Sequence, residues 1–344
     1  MDDFKPIIGI TMGDPAGIGP EIVAKALSVE RIYEDCKPVV IGDAGVIRNA
    51  LNIVGSNMQI KSISKIEQCD FEFGQIDVYD LKNVDTEKLE SGRVSALAGN
   101  AAFDSIKTVI ELALAKRIHA TVTGPINKES INLAGYHYSG QTEIYAHFTH
   151  SDKYAMMLVE GNLRVVHVTT HVSLRQACDL IKMQRVLDVI HLADDACGKL
   201  GIETPRIGVA GLNPHSSDGG LFGWEEKQEI TPAIEAAKSS GIVVDGPIPG
   251  DTLFSKAKGG QYDVVVAMYH DQGHIPLKLV GFIWNDEQKK WDSVSGINIT
   301  LGLPIIRVSV DHGTAFDQAG KGTAIADSLI SAIDFAATMA SNNR

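Results

Sequence analysis

The run Val265-Val266-Ala267-Met268-Tyr269-His270-Asp271-Gln272-Gly273-His274 carries more chemistry than any other in the chain. A β-branched stretch stops abruptly at His-Asp-Gln-Gly-His, and open α/β sheets hold their ligands at strand ends. An imidazole beside a carboxylate there suits divalent-metal ligation or acid–base work. Two more histidines share the context. His171 follows the strand-like run Val165 to Thr170, and His215 follows Val209-Ala210-Gly211-Leu212-Asn213-Pro214. A lone histidine at an apolar edge is usually a structural hydrogen-bonding group. Three of them, each just past a strand-like run, could converge on one ion if the strands are parallel and share a rim. Spacing alone leaves both readings open. Asp251 and Asp271 are candidates as ligands or as orienters behind them, and His167, His274 and His312 compete for the same roles.

Four other motifs carry polar chemistry. In Gly9-Ile10-Thr11-Met12-Gly13-Asp14-Pro15-Ala16-Gly17-Ile18-Gly19-Pro20-Glu21 a strand runs into a Gly-rich turn, and Pro20 suits the first turn of a helix. Backbone N–H groups there could bind an anion, or the turn could simply be a tight connection. The spacing is neither GxGxxG nor a Walker sequence. Thr123-Gly124-Pro125-Ile126-Asn127-Lys128 ends a strand, and Lys128 could hold a phosphate or carboxylate or be an ordinary solvated lysine. Ser139-Gly140-Gln141-Thr142-Glu143 could read a polar substrate, or cap a helix through Thr142 or Ser139. Lys278, Asn298 and Arg307 in one cleft would suit a phosphate plus a carboxylate, although in isolation the lysine and the arginine each read as a surface charge. In Asp311-His312-Gly313-Thr314-Ala315-Phe316-Asp317-Gln318-Ala319-Gly320-Lys321-Gly322, small residues would let a flat ligand approach the backbone.

The elements that must position these residues alternate. Ile7 to Met12, Pro38 to Ile41, Ala120 to Thr123, Arg164 to Thr169, Arg206 to Ala210, Val264 to Met268 and Ile305 to Val310 read as strands. Glu21 to Leu27, Ala96 to Lys116 and Arg185 to Leu200 read as amphipathic helices. The alternation predicts an α/β architecture with a largely parallel sheet. The polar and charged stretch Phe282 to Asp292 breaks the pattern and reads as a surface excursion with a hairpin turn at Asn285-Asp286, or as a lid.

At 344 residues the chain is long enough for two domains or one large one, and its composition is that of a globular protein. A net charge of −12 argues against a general nucleic-acid or acidic-membrane binder, while leaving room for a local basic pocket. Cys36, Cys69, Cys178 and Cys197 form no CxxC pair, which predicts reduced thiols. Met1-Asp2-Asp3-Phe4-Lys5 does not read as a signal peptide, and no apolar run is long enough to span a bilayer. A cytoplasmic protein is the expectation.

Jointly, ITMGDPAGIGPE, TGPINK, GQTE, NPH, MYHDQGHIPLK, NITLGLPIIR and DHGTA, in that order, resemble the 4-hydroxythreonine-4-phosphate dehydrogenase family over nearly the whole chain. MYHDQGHIPLK and DHGTAFDQAGKG are most similar to the branch acting on 4-phospho-D-threonate and 4-phospho-D-erythronate. The resemblance implies a two-domain α/β fold like that of isocitrate and isopropylmalate dehydrogenases, with a cleft between the domains. Residues 1–134 and 305–344 would form the cofactor-side domain, and residues 135–304 the metal, substrate and dimerisation domain.

The resemblance further implies one divalent metal ion (Zn, Mg, Mn or Co) on His171, His215 and His270, shared across a homodimer interface. Substrate contacts would be Gln141, Thr142, Lys278, Asn298 and Arg307. NAD would lie near His312, Gly313, Thr314 and Ala315. The implied reaction is oxidation at C3 with decarboxylation of a 4-phosphorylated hydroxy acid, giving dihydroxyacetone phosphate and CO2. Lys278, Asp251 and Asp271 are the candidates for general base and acid. One alternative is the vitamin B6 pathway reaction on 4-phosphohydroxy-L-threonine; another, of a different class, is a non-catalytic phosphosugar- or metal-binding regulator. Two departures stand out. The family usually has GHTE where position 141 here is Gln, an amide that cannot carry an imidazolium's charge. The Trp284 to Asp292 stretch is an insertion between Lys278 and Asn298.

Overall fold

The computed structural model describes residues 4–287, 290–294 and 296–343. Its strands are β1 (Ile7–Thr11), β2 (Lys37–Gly42), β3 (Gln59–Ile63), β4 (Gln75–Asp80), β5 (Ala120–Thr123), β6 (Ala155–Glu160), β7 (Leu163–His167), β8 (Ile207–Ala210), β9 (Val244–Ile248), β10 (Val264–Ala267), β11 (Phe282–Asn285), β12 (Lys290–Val294), β13 (Ile297–Leu301) and β14 (Ile306–Val310). The chain packs as two compact units, Met1–Asp152 with Leu303–Arg344, and Lys153–Gly302.

In the first unit the strand order is β3-β4-β2-β1-β5-β14, every pair parallel. Parallel strands are covered on both faces, so they need continuous apolar runs rather than alternation. Ile8, Ile10, Val122 and Val308 are accordingly fully buried. The helix Ala96–Leu114 lays Phe103, Ile106, Val109 and Ile110 into the core formed with Val39 and Ile41. Ser95 caps it by accepting from the Ala98 N–H at 3.2 Å. Each such isoleucine or valine contributes about 2 kcal/mol through burial.

In the second unit the order is β13-β6-β7-β10-β8-β9. β7, β10, β8 and β9 run parallel, and β13–β6 and β6–β7 pair antiparallel. Two residues, Gly161 and Asn162, turn β6 into β7, and Gly161 takes the φ of +54° that a tight hairpin demands. Val165, Val265 and Ala267 are fully buried in the core of this unit, with Leu158 and Leu253.

The α/β expectation holds, and all seven strands read from sequence occur to within two residues at either end. β3, β4, β6, β9 and β13 are additional. The hairpin expected around Asn285-Asp286 forms in the backbone, with β11 and β12 antiparallel and Trp284 opposite Trp291. Gln288 and Lys289 in that stretch lie outside the described residues.

Candidate active-site residues

The second unit places its chemistry at the C-terminal ends of three adjacent parallel strands. β10 lies between β7 and β8. His167 ends β7 and His171 follows four residues on; His215 follows β8; His270 opens the helix His270–Gly281 after β10. The rings of His171 and His270 are 5.7 Å apart at 47°. Asp271 Oδ1 is 2.7 Å from His270 Nδ1. A carboxylate on Nδ1 leaves Nε2 as the lone-pair nitrogen and fixes the ring, as carboxylates behind metal-ligating histidines do. Two imidazoles at this separation suit a borderline divalent ion.

Within one chain only these two of the three expected imidazoles come together. Among the described residues no three His, Cys, Asp or Glu side chains form a metal-holding group. The reason is local. His215, Ser216, Ser217, Asp218 and Gly219 all have positive φ, 46° to 71°, a short left-handed turn that directs His215 toward the Phe222 ring, 6.4 Å away. Left-handed L-residues cost roughly 1–2 kcal/mol each, so the turn needs support. The buried Glu226 carboxylate supplies some of it, accepting from the Leu212 N–H at 2.8 Å and the Asn213 N–H at 2.7 Å.

Behind His270 the imidazoles continue inward. His274 stacks on His270 with centroids 3.6 Å apart, and His167 lies 4.8 Å from His274. Burial pushes His167 down to about 3, and the neighbouring His274 adds to the shift, so its ring is neutral. Gly273 is required here, because a Cβ would come 2.3 Å from His167 Nε2. His274 and His167 thus form the support under His270.

Asp251 and Asp271 line one cavity of about 690 Å3 together with His215, Tyr269 and Gln272. Gln272 ties two strand ends: its Oε1 accepts from the Met268 N–H and its Nε2 donates to the Gly211 carbonyl, both at 2.7 Å. Lys278 sits in the last turn of its helix with Nζ 4.4 Å from the Phe282 ring centroid. Asn298 lies on β13, in register with Leu158.

The first unit holds the remaining substrate candidates. Arg307 on β14 is only 3 % exposed. Its Nη2 donates to Thr123 Oγ1 at 3.2 Å, its Nη1 reaches Thr142 Oγ1 at 3.5 Å, and its guanidinium lies 5.4 Å from the Tyr145 ring. Burial lowers Arg307 to about 10, so it stays cationic at neutral pH. Gln141 and Thr142 open the helix Gln141–Thr149 beside it, with Gly140 rather than Ser139 or Thr142 at the cap position. Gln141 Nε2 donates to the Gly124 carbonyl at 2.9 Å, and its buried Oε1 meets no partner among the described residues. That leaves an acceptor, so a ligand hydroxyl fits there better than a phosphate oxygen. Lys128 is exposed.

The loop expected to meet a dinucleotide is also in this unit. His312 Nδ1 is 3.0 Å from the Gly313 carbonyl, Thr314 is buried, and Ala315 has φ of +41°. A Cβ on Gly313 would meet open space. Sequence reasoning missed Glu226, Gln272 and Thr123. Glu226 follows NPH at a distance with no fixed spacing, Thr123 is one of several hydroxyls at strand ends, and Gln272 sits inside the HDQG run beside a histidine and an aspartate, which carry the stronger ligation signal.

The chain matches the family model described as pyridoxal phosphate biosynthetic protein PdxA over residues 34–336. A relative from Oceanobacillus iheyensis is 48% identical over 338 residues, covering 98% of each chain. The D-threonate 4-phosphate dehydrogenase of Cupriavidus necator is 45% identical over 341 residues, covering 99% of each. The crystal structure of a 4-hydroxythreonine-4-phosphate dehydrogenase from Klebsiella pneumoniae matches with a TM-score of 0.86 and 43% identity, covering 98% of this chain and 100% of that one. With the family model matched over most of the chain and full-length relatives at this identity, the chain belongs to the PdxA family.

Proposed function

We propose that this protein is an NAD- and divalent-metal-dependent dehydrogenase that oxidises C3 of a 4-phosphorylated 2,3-dihydroxy acid and releases CO2, with 4-phospho-D-threonate or 4-phospho-D-erythronate as substrate. The observation that carries it is the coexistence of a carboxylate-oriented imidazole pair, His171 and His270, with a buried guanidinium, Arg307, beside Thr142. The relative from Cupriavidus necator, named for D-threonate 4-phosphate, supports the substrate class.

Each group has its own part in the proposed reaction. Arg307 and Thr142 take an anionic group of the substrate, and Gln141 Oε1 accepts from a substrate hydroxyl. Asp271 holds His270. Asp251 is the candidate for removing the C3 hydroxyl proton, since Asp271 is already engaged with His270. The divalent ion, when held by His171 and His270, supplies Lewis acidity toward the C3 oxygen. His312, Gly313, Thr314 and Ala315 would hold the dinucleotide, which would supply the hydride acceptor. The ketone formed at C3 is β to the carboxylate, so loss of CO2 and protonation of the enol give dihydroxyacetone phosphate. Lys278 is the candidate proton donor.

The third metal ligand, His215, comes from a second copy of the chain. Ile275 and Leu279, 65% and 81% exposed, lie on the helix that begins with His270, and Leu221 and Phe222, 72% and 48% exposed, follow His215. Apolar surface flanking both partial ligand sets suits a homodimer interface. Among the described residues no helix is long and apolar enough to cross a membrane, and all four cysteines are free. A cytoplasmic location accords with reduced thiols.

A second reading is oxidation of 4-phosphohydroxy-L-threonine, favoured by the name of the Klebsiella pneumoniae structure. Parallel NADH assays with 4-phospho-D-threonate, 4-phospho-D-erythronate and 4-phosphohydroxy-L-threonine, with metal present, decide between them. Turnover of either phosphorylated dihydroxy acid at least tenfold above the amino acid is expected. The reverse order establishes the second reading, and no NADH from any of the three leaves a non-catalytic binder.

A further inference from the structure

The Gly-rich stretch Gly13 to Glu21 was the motif whose purpose the sequence left open. Its geometry points away from a ligand and toward a second loop of the same unit. The Glu21 carboxylate, 2% exposed, accepts from the Gly320 N–H at 2.6 Å through one oxygen and from the Gly322 N–H at 2.7 Å through the other. One helical turn later Lys25 donates to the Gly322 carbonyl at 2.8 Å and to the Ala324 carbonyl at 2.6 Å. The near end of the loop is held as well: Ile18 N–H donates to the Thr314 carbonyl at 3.0 Å, and a Cβ on Gly17 would come 2.9 Å from Thr314. Two charged side chains on one face of the helix Gly19–Ala26 therefore satisfy four backbone groups of residues 320–324.

Those bonds are charge-assisted and formed by a buried Glu21 and a half-buried Lys25, so they hold the loop in one conformation. Loop ordering before binding lowers the cost a ligand would otherwise meet. Beside the clamp a cavity of about 380 Å3 is lined by Pro15, Gly17, Glu21, Asn49, Ser91 and Gly320. We propose that Glu21, with Lys25, is a positioning residue for the dinucleotide: by fixing residues 314–324 it sets cofactor affinity without touching the reacting atoms. This rests on the reading that His312 to Ala315 meet NAD.

The test uses the full-length protein with NADH as probe, read by fluorescence titration in the absence of substrate, so that neither turnover nor metal loading enters. In Glu21→Gln the amide can accept from only one of the two glycine N–H groups and turns a donor toward the other. The NADH dissociation constant is expected to rise at least tenfold. At saturating dinucleotide, kcat and the substrate KM stay within about twofold, and backbone hydrogen exchange quickens at residues 314–324. Lys25→Met is the second variant, should Glu21→Gln fold poorly, with a rise of at least threefold. Gly313→Glu separates the two ideas, because its side chain enters open space in the free protein and obstructs a dinucleotide lying on the loop. If Gly313→Glu weakens NADH while neither clamp variant does, the clamp is only structural and the inference fails alone. If Gly313→Glu leaves NADH affinity unchanged, the cofactor reading falls and takes the inference with it.

Discussion

Glu226 and Asn213 are joined twice: the Asn213 N–H donates to Glu226 Oε1 at 2.7 Å and the Asn213 amide donates to Glu226 Oε2 at 2.9 Å. Asn213 is two residues from His215, and the left-handed turn between them and Gly219 carries backbone strain. Glu226 anchors the strained loop from a different element, the π-helical turn Glu226–Ile230. Replacing it by Gln keeps the shape but loses acceptor capacity. Glu226→Gln should cost about 1–3 kcal/mol in urea denaturation, the penalty for unsatisfied buried donors. Divalent-ion affinity should fall about 10-fold or more, the usual size for a residue supporting a ligand. Unchanged Zn2+ or Co2+ affinity in a loosened variant would show that His215 takes no part in metal binding.

Leu279 tests the assembly. It is 81% exposed on the helix that starts with His270. Leu279→Asp should convert a dimer to a monomer in light scattering, since a charge at the core of an apolar interface is unpaired and desolvated. Metal content per chain should fall in parallel. A monomeric variant that still holds one tightly bound ion per chain would falsify the shared site. His270→Ala should lose the ion in either state of assembly, and chelation of the parent protein should abolish NADH production until metal is restored.

Arg307 has a planar fork directed at two hydroxyls, Thr123 and Thr142. Lysine keeps the charge but not the fork. Arg307→Lys should raise the substrate KM at least tenfold while the NADH dissociation constant stays within about twofold. Equal loss of both affinities would mean that the first unit has unfolded locally rather than lost an anion contact.

Asp14 gives a pH signature. Burial raises its carboxyl from 3.8 to about 6, and the hydrogen bond from the Ala16 N–H at 2.9 Å offsets only part of that. The folded state therefore binds the proton more tightly than the unfolded state. Stability attributable to this group falls as pH rises from about 4 to about 6, and the penalty is complete above that. It is on the order of 2–3 kcal/mol from the size of the shift. Asp14→Asn should remove the dependence. Against the parent it should gain stability at pH 8 and gain little at pH 4. Parallel unfolding curves for the two proteins across that range would contradict the assignment.

The reach of the sequence is clearest in the second unit. Val264 to Met268 is a continuous apolar run, and Val165 to Thr170 is a β-branched run broken only by His167; strands covered on both faces favour such runs over alternation. That made a largely parallel sheet with histidines just past its strands legible in the sequence, whereas the order β7-β10-β8 is set by pairing in the fold. β6 was not legible, because Ala155 to Glu160 holds two methionines and a glutamate and owes its strand state to pairing with β7 and β13.

By itself, then, the sequence determined the alternation of elements, the residue types available for chemistry and, through seven ordered motifs, the family. Those are local properties or depend only on order along the chain. The tertiary structure decided which of those residues meet. His171 reaches His270 while His215 turns away on a left-handed turn held by Glu226. Gln141 donates one amide hydrogen to the Gly124 carbonyl. The Gly-rich motif grips the loop 314–324, some 300 residues away. Such contacts depend on backbone conformation and on partners far apart in the chain, and a loop-closing contact leaves no periodic trace in sequence.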